Sequence, residues 1–214
     1  MKILCDFDGT AAANDVGNVL FRKFAGDGCF DIIQLWKDGE ISSKECLLRE
    51  CEIARVTRTE LEQFCDIQDM SPFFTEFLAY CQSSGIPIDI VSDGLDFYVN
   101  RILTNHGLNA AVDFYANKLQ FLKNGGITVE FPYFKYGCGR CANCKGYHVK
   151  RAKAAGYKVV YIGDGLSDRC GADAADIVFA RTGRDLENYC DEQQLPHHKF
   201  NDFSDVLEVL KTRA

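Results

Sequence analysis

The chain has 214 residues, 47% of them hydrophobic and 26% charged, with 18 Gly and 4 Pro, a mix that excludes disordered and collagen-like structure. A net charge of −7 argues against a nucleic-acid footprint, and no apolar run approaches the ~18 residues that a membrane span requires, so neither nucleic acid nor membrane is expected as a partner. Eleven cysteines are too many for an ordinary cytosolic enzyme and too sparse for a small disulfide scaffold.

The first segment, MKILCDFDGT, is apolar only until Asp6 and Asp8 interrupt it, so it does not read as a secretory signal. A reducing cytoplasm with free thiols is the expected setting. Lys2 to Phe7 is a β-leaning run that ends in Asp-Gly-Thr. From Asn14 to Gly85 such runs vanish and helix starts accumulate: Ser42 with Glu45, Thr57 with Glu60, and Ser71 ahead of Pro72. This predicts an inserted cap domain of four helices over residues 14–85, in which Phe73, Phe74, Phe77 and Tyr80 fall at core spacing.

Ile86 to Val91 repeats the first design and ends in Ser-Asp-Gly, followed by a helical pattern from Asp96 to His106 closed by Gly107. Runs at Val112 to Ala116 and Ile127 to Phe131 flank Asn124-Gly125-Gly126 and predict a small β-hairpin insertion within about 112–144. A helix from Lys145 to Ala155 leads to Lys158 to Ile162, which ends in Gly-Asp-Gly, and a further helix is expected over Leu166 to Ala175. Strand, glycine turn and helix in repetition signify an α/β fold: a Rossmann-like parallel sheet core over 1–13 and 86–214, whose acidic turns meet at one edge.

Two carboxylates one residue apart at a strand end can both face a ligand only where the chain turns, and Gly9 and Thr10 supply that turn. The chemistry suited to such a pair is an anionic nucleophile, Asp6, that accepts a phosphoryl group, with Asp8 as proton donor and then acceptor. An anion approaching a phosphate needs charge neutralisation, so Mg²⁺ is expected on oxygen ligands, with Asp164 and Asp168 of GDGLSD as further carboxylates. Ser92 and the amide of Gly94 can donate to phosphoryl oxygens, and Lys145 can supply a fixed positive charge.

The ordered set DFDGT, VSDG, Lys145 and GDGLSD resembles the haloacid-dehalogenase-like superfamily of phosphatases over nearly the whole chain. That resemblance implies Asp6 as nucleophile, Asp8 as acid/base and magnesium ligand through its carbonyl, Asp164 as the third metal ligand, and Ser92 with Lys145 as the phosphate-binding pair. Thr10 and Asp168 would support them from behind. The helical insertion is similar to the cap of the phosphoserine-phosphatase branch. Within it, DFDGT, VSDGLDFYV, the Cys144-Lys145 junction and VFAR look most similar to the 2-hydroxy-3-keto-5-methylthiopentenyl-1-phosphate phosphatases of methionine salvage. VSDG and GDGLSD are also similar to the phosphoethanolamine and phosphocholine phosphatases.

The expectation is therefore a Mg²⁺-dependent phosphatase of a small phosphorylated metabolite. A phospho-accepting signalling domain shares an Asp, a hydroxyl, a Lys and Mg²⁺, but Asp8 and a large cap argue against it. Asp15, at the start of the insertion, and Arg49, on a capped helix, are candidates for reading the substrate. Cys138, Cys141 and Cys144, with His148 four residues on, have a spacing open to Zn²⁺, to reduced thiols shaping a loop, or to a disulfide. The eight other cysteines, Cys170 among them, read as isolated and mostly as small buried hydrophobes.

Overall fold

The computed structural model describes residues 1–123 and 125–212; Asn124, the first residue of the expected hairpin turn, lies outside them. Among the described residues seven strands form one sheet: β1 (Lys2–Cys5), β2 (Ile88–Leu95), β3 (Asp113–Phe121), β4 (Ile127–Glu130), β5 (Val159–Gly163), β6 (Ile177–Arg181) and β7 (His198–Phe200). Their order is β4-β3-β2-β1-β5-β6-β7, with every neighbouring pair parallel except β3 and β4. The central strands are unbroken apolar runs buried on both faces, as a parallel sheet covered by helices requires.

Register places the functional turns together. Cys5 lies opposite Ile90 on one side and Ile162 on the other, so Asp6, Ser92 and Asp164, which follow them along the chain, emerge at the same edge.

Between β1 and β2 lie α1 (Val16–Phe24), α2 (Gly28–Lys37), α3 (Ser43–Ile53), α4 (Arg58–Cys65) and α5 (Phe74–Ser83). The cap residues act as their side chains dictate: Ser42 Oγ accepts from the Glu45 amide at 3.1 Å, and Thr57 and Glu60 form a reciprocal capping box. The path out of the core and the path back run side by side, since the Ala13 amide donates to Asp69 O at 2.9 Å and the Ser71 amide to Ala11 O at 2.8 Å. The α5 helix lies beyond that crossing and packs against the sheet side, with the Phe74 and Phe77 rings each 4.9 Å from Phe203. Of the aromatic group expected in the core, Phe74 and Phe77 are buried, whereas Phe73, at φ +62°, is exposed.

The rest is α6 (Asp96–Asn105), α7 (Lys145–Ala154), α8 (Arg169–Ala174), α9 (Asp185–Glu192) and α10 (Phe203–Lys211). One expectation is corrected here. The strand around Val112 to Ala116 is not confined to an inserted hairpin: the first half of β3 pairs in parallel with β2 as a member of the main sheet. Its second half continues into the antiparallel pair with β4. Nine residues are long enough to serve both partners, and the short apolar stretch seen in the sequence revealed only the first.

Candidate active site

Asp6 leaves β1 nearly completely buried, and an irregular turn over Phe7–Ala11 carries Asp8 to the same side. Gly9 makes this possible at φ +70°, and it must remain glycine for a second reason, because a Cβ there would sit 2.5 Å from Asp164 Oδ2. Asp8 is gripped by three donors: the Gly17 amide at 3.1 Å, Ser92 Oγ at 3.0 Å and Tyr98 Oη at 2.8 Å. Burial, with the charge of Asp15 behind it, nevertheless pushes the Asp8 carboxyl up to about 6, the three hydrogen bonds pulling against it.

Lys145 opens α7 and is as buried as any residue of the core. Its Nζ lies 2.7 Å from Asp6 Oδ1, donates to Ser167 Oγ at 2.8 Å, and pairs with Asp168 Oδ1. Burial opposes that ammonium, but Asp168 and Asp6 more than offset it and hold its pKa well above the ordinary lysine value. Asp168 is fully committed: Oδ1 also accepts from Tyr161 Oη at 2.5 Å, and Oδ2 accepts from the Asp164 and Gly165 amides at 2.8 Å each. It therefore fixes Lys145 and the 164–165 turn and has little left for a cation.

Asp164 accepts from Thr10 Oγ1 at 3.1 Å, and burial together with the charge of Asp168 raises its carboxyl to about 7. Asp6, Asp164 and Asp168 each bring a carboxylate oxygen within 4.8 Å of the other two. Burial and neighbouring acidic charge raise the pKa values of Asp6, Asp8 and Asp164 despite the one buried ammonium nearby, the electrostatic mark of missing positive charge. Hard oxygen donors with excess negative charge fit Mg²⁺.

Asp6, Asp8, Lys145 and Asp164 line a cavity of about 510 Å³ roofed by α1, α2 and α3, where Phe21, Ile33, Trp36 and Leu47 are apolar and Asp15 and Glu50 acidic. The two donors expected for phosphate are present but turned inward: Ser92 donates to Asp8, and the Gly94 amide donates to Ser92 Oγ at 3.0 Å. Asp15 caps α1 by accepting from the Asn18 amide at 2.9 Å and also faces the cavity.

Two expected site residues do not take the expected places. Arg49 is not among the cavity residues but, half-buried, pairs with Glu45 one helical turn away, and its neighbour Glu50 turns inward instead. A helix face is decided by packing, and the α3 start and end did not fix its rotation. Burial raises the Glu50 carboxyl to about 8, with Asp15 adding to it. His148 does not join the cysteines: its Nε2 lies 2.7 Å from Asn143 Oδ1, among the rings of Tyr115, Tyr133 and Tyr147, and burial there lowers its pKa to about 3.

The fourth member of that group is Cys170, from α8, so this cysteine is not isolated. None of the eleven cysteines is in a disulfide. Sequence reasoning also missed Tyr98, Tyr161, Ser167 and Asn143. Tyr98 had a signal, standing four residues after Gly94 in VSDGLDFY at the start of a helix; the others depend on contacts across the chain.

A family model described as Putative Phosphatase matches residues 1–210. A 2-hydroxy-3-keto-5-methylthiopentenyl-1-phosphate phosphatase of Brevibacillus brevis is 33% identical, over 99% of this chain and 95% of the relative. The bifunctional enzyme MtnB/MtnX of Bacillus licheniformis is 31% identical over 99% of this chain and 49% of its own, longer length. Among solved structures, a substrate-bound phosphoserine phosphatase superposes with a TM-score of 0.74 at 21% identity, over 98% of both chains. A phosphoserine phosphohydrolase-like protein from Francisella tularensis gives 0.75 at 17%, over 98% of this chain and 99% of that one. The last two similarities concern the fold.

Proposed function

The chain belongs to the Putative Phosphatase family and is a phosphatase, and on that premise we propose that it hydrolyses a small phosphorylated metabolite in the cytoplasm through an aspartyl-phosphate on Asp6. The observation that carries this reading is the head of β1, where Asp6, paired with Lys145, opens onto the cavity beside Asp8 and Asp164.

Asp6 and Asp164, with the main-chain carbonyl of Asp8, would hold Mg²⁺, which supplies the positive charge that lets an anionic nucleophile meet a phosphate. In the first step a bond forms from the Asp6 carboxylate oxygen to phosphorus and the ester P–O bond breaks. Asp8, protonated through its raised pKa, gives its proton to the departing alkoxide. Asp8 then takes a proton from a water molecule whose oxygen attacks phosphorus, which frees Asp6 and releases inorganic phosphate. Lys145 holds its charge throughout, and the Ser92 hydroxyl and Gly94 amide exchange their internal partners for phosphoryl oxygens. The helices α1 to α4, entering and leaving by adjacent segments, act as the cap that shuts water out.

For the substrate, the relative named for 2-hydroxy-3-keto-5-methylthiopentenyl-1-phosphate supports that ester, and the apolar wall of Phe21, Ile33, Trp36 and Leu47 suits a thioether tail. A second reading, an ammonium-bearing ester such as phosphoethanolamine, phosphocholine or phosphoserine, is favoured by Asp15 and Glu50 in the same cavity. Turnover of a generic aryl phosphate tests the mechanism: Asp6→Asn should lower it by about 10⁴-fold or more, and chelation should abolish it until Mg²⁺ is restored. An undiminished rate in either case overturns it. A panel of the esters named above, compared by kcat/KM, decides the substrate.

A further inference from the structure

We infer that Cys138, Cys141, Cys144 and Cys170 form a binding site for one zinc ion that clips the Lys145 helix to the Asp168 turn.

All four Sγ atoms lie within 4.8 Å of one another, with Cys138 to Cys141 at 3.4 Å and Cys141 to Cys170 at 4.0 Å. Four sulfurs at the ~2.3 Å Zn–S distance on the corners of a tetrahedron stand about 3.8 Å apart, which this grouping matches. A disulfide would draw two sulfurs to about 2.0 Å and leave the other two without a role. A four-iron cluster holds each cysteine on a different iron at the corner of a cube and needs a wider spread.

The donor set comes from two elements far apart in sequence. Three cysteines lie on the loop that ends at Cys144, and Cys170 is the second residue of α8. Such cross-element provenance is what a structural metal exploits, since the ion replaces buried apolar area that a short loop lacks. Here the loop has little core of its own, and Cys138 is exposed. Binding deprotonates the thiols it engages and releases their protons.

Its place gives the ion a consequence for the chemistry. Cys144 immediately precedes Lys145, and Cys170 follows Asp168 by two residues, while Lys145 and Asp168 are themselves paired. The same loop grips the start of α3: Arg140 donates to Gly39 O at 2.9 Å and Ile41 O at 3.2 Å, and the Ala142 amide donates to Ser43 Oγ at 2.9 Å. The clip therefore bears on both the phosphate-binding ammonium and the helices above the cavity, as a positioning device that never touches substrate.

The test reads metal, independent of hydrolysis. Tag-free protein purified without added metal should carry about one zinc per chain by elemental analysis. Cobalt in its place should show the intense visible absorption of a tetrahedral tetrathiolate. Cys170→Ser should lose the metal and that spectrum, and so should Cys138→Ser, the exposed ligand whose loss leaves the core untouched. Chelation that removes Mg²⁺ and stops turnover should leave the zinc in place, which separates failure of this site from failure of the phosphatase reading. Metal-free native protein that gives no tetrathiolate spectrum with cobalt, a disulfide among the four, or zinc undiminished in both variants overturns the inference.

Discussion

The proposed mechanism asks Asp8 to be an acid in one step and a base in the next, and a carboxyl near 6 can be both at neutral pH, whereas an ordinary aspartate would give up its proton too early. Burial raises it, and the Tyr98 hydroxyl is the strongest of the contacts that hold it down. Tyr98→Phe should therefore move the inflection of the kcat–pH profile that belongs to Asp8 upward by up to about one unit, the worth of one hydrogen bond. An unmoved inflection would show that another group sets it. Gly94 serves the same contact, since a Cβ there would fall 1.6 Å from Tyr98 Oη. Glu50 gives a stability prediction. Its carboxyl titrates near 8 in the folded chain and at an ordinary glutamate value when unfolded, so the folded state holds the proton more tightly. That favours folding at low pH and is lost as pH rises through about 8, so the parent protein should melt lower at pH 9 than at pH 5. Glu50→Gln should flatten that slope in thermal melts across the same window.

At the level of elements, two of the junctions between the helices of the 14–85 segment and the core differ in kind. The junction of α5 with α10 is aromatic: Phe203 is fully buried and meets Phe74, Phe77 and Phe200. Phe203→Ala should cost about 3–5 kcal/mol in urea unfolding, with little change in kcat for whatever fraction remains folded. The junction of α3 with the cysteine loop is polar, built on Ser43 Oγ, which donates to Asp93 Oδ2 at 2.7 Å and accepts from the Ala142 amide. Ser43→Ala should cost only about 1–2 kcal/mol of stability but raise KM, because it loosens the cavity roof from the loop that carries Lys145. Ser42 and Thr57 announced α3 and α4 in the sequence, whereas Ser71 ahead of Pro72 does not start α5: that helix begins at Phe74 without a side-chain cap, and Ser71 Oγ donates to Thr10 O instead. Which neighbour each would meet was not announced, because α5 is amphipathic in the same way whether it packs over the sheet edge or against α10.

For the molecule as a whole, the proposed mechanism couples folding to cation binding. On that proposal Mg²⁺ would bind only the folded arrangement and would have to displace the proton that Asp164 holds up to about 7. The rise in melting temperature on adding Mg²⁺ should therefore be larger at pH 8 than at pH 6, and should vanish in Asp164→Asn; equal shifts at both pH values would mean that the cation lies elsewhere. Among the described residues no helix is long and apolar enough to cross a membrane. The sequence by itself determined the parallel α/β sheet, the helical segment between β1 and β2, and the acidic turns that gather at one edge of the sheet. Those features depend on local signals: β runs ending in acidic glycine turns, capping residues, and carboxylates at fixed spacing. Only the tertiary structure decided that Glu50 and not Arg49 faces the cavity, that His148 turns to Asn143, that β3 serves both the sheet and the hairpin, and that Cys170 joins three cysteines about thirty residues away in sequence. Each of those depends on how far one element rotates or on which distant element packs beside it, and the spacing of residues along a chain carries neither.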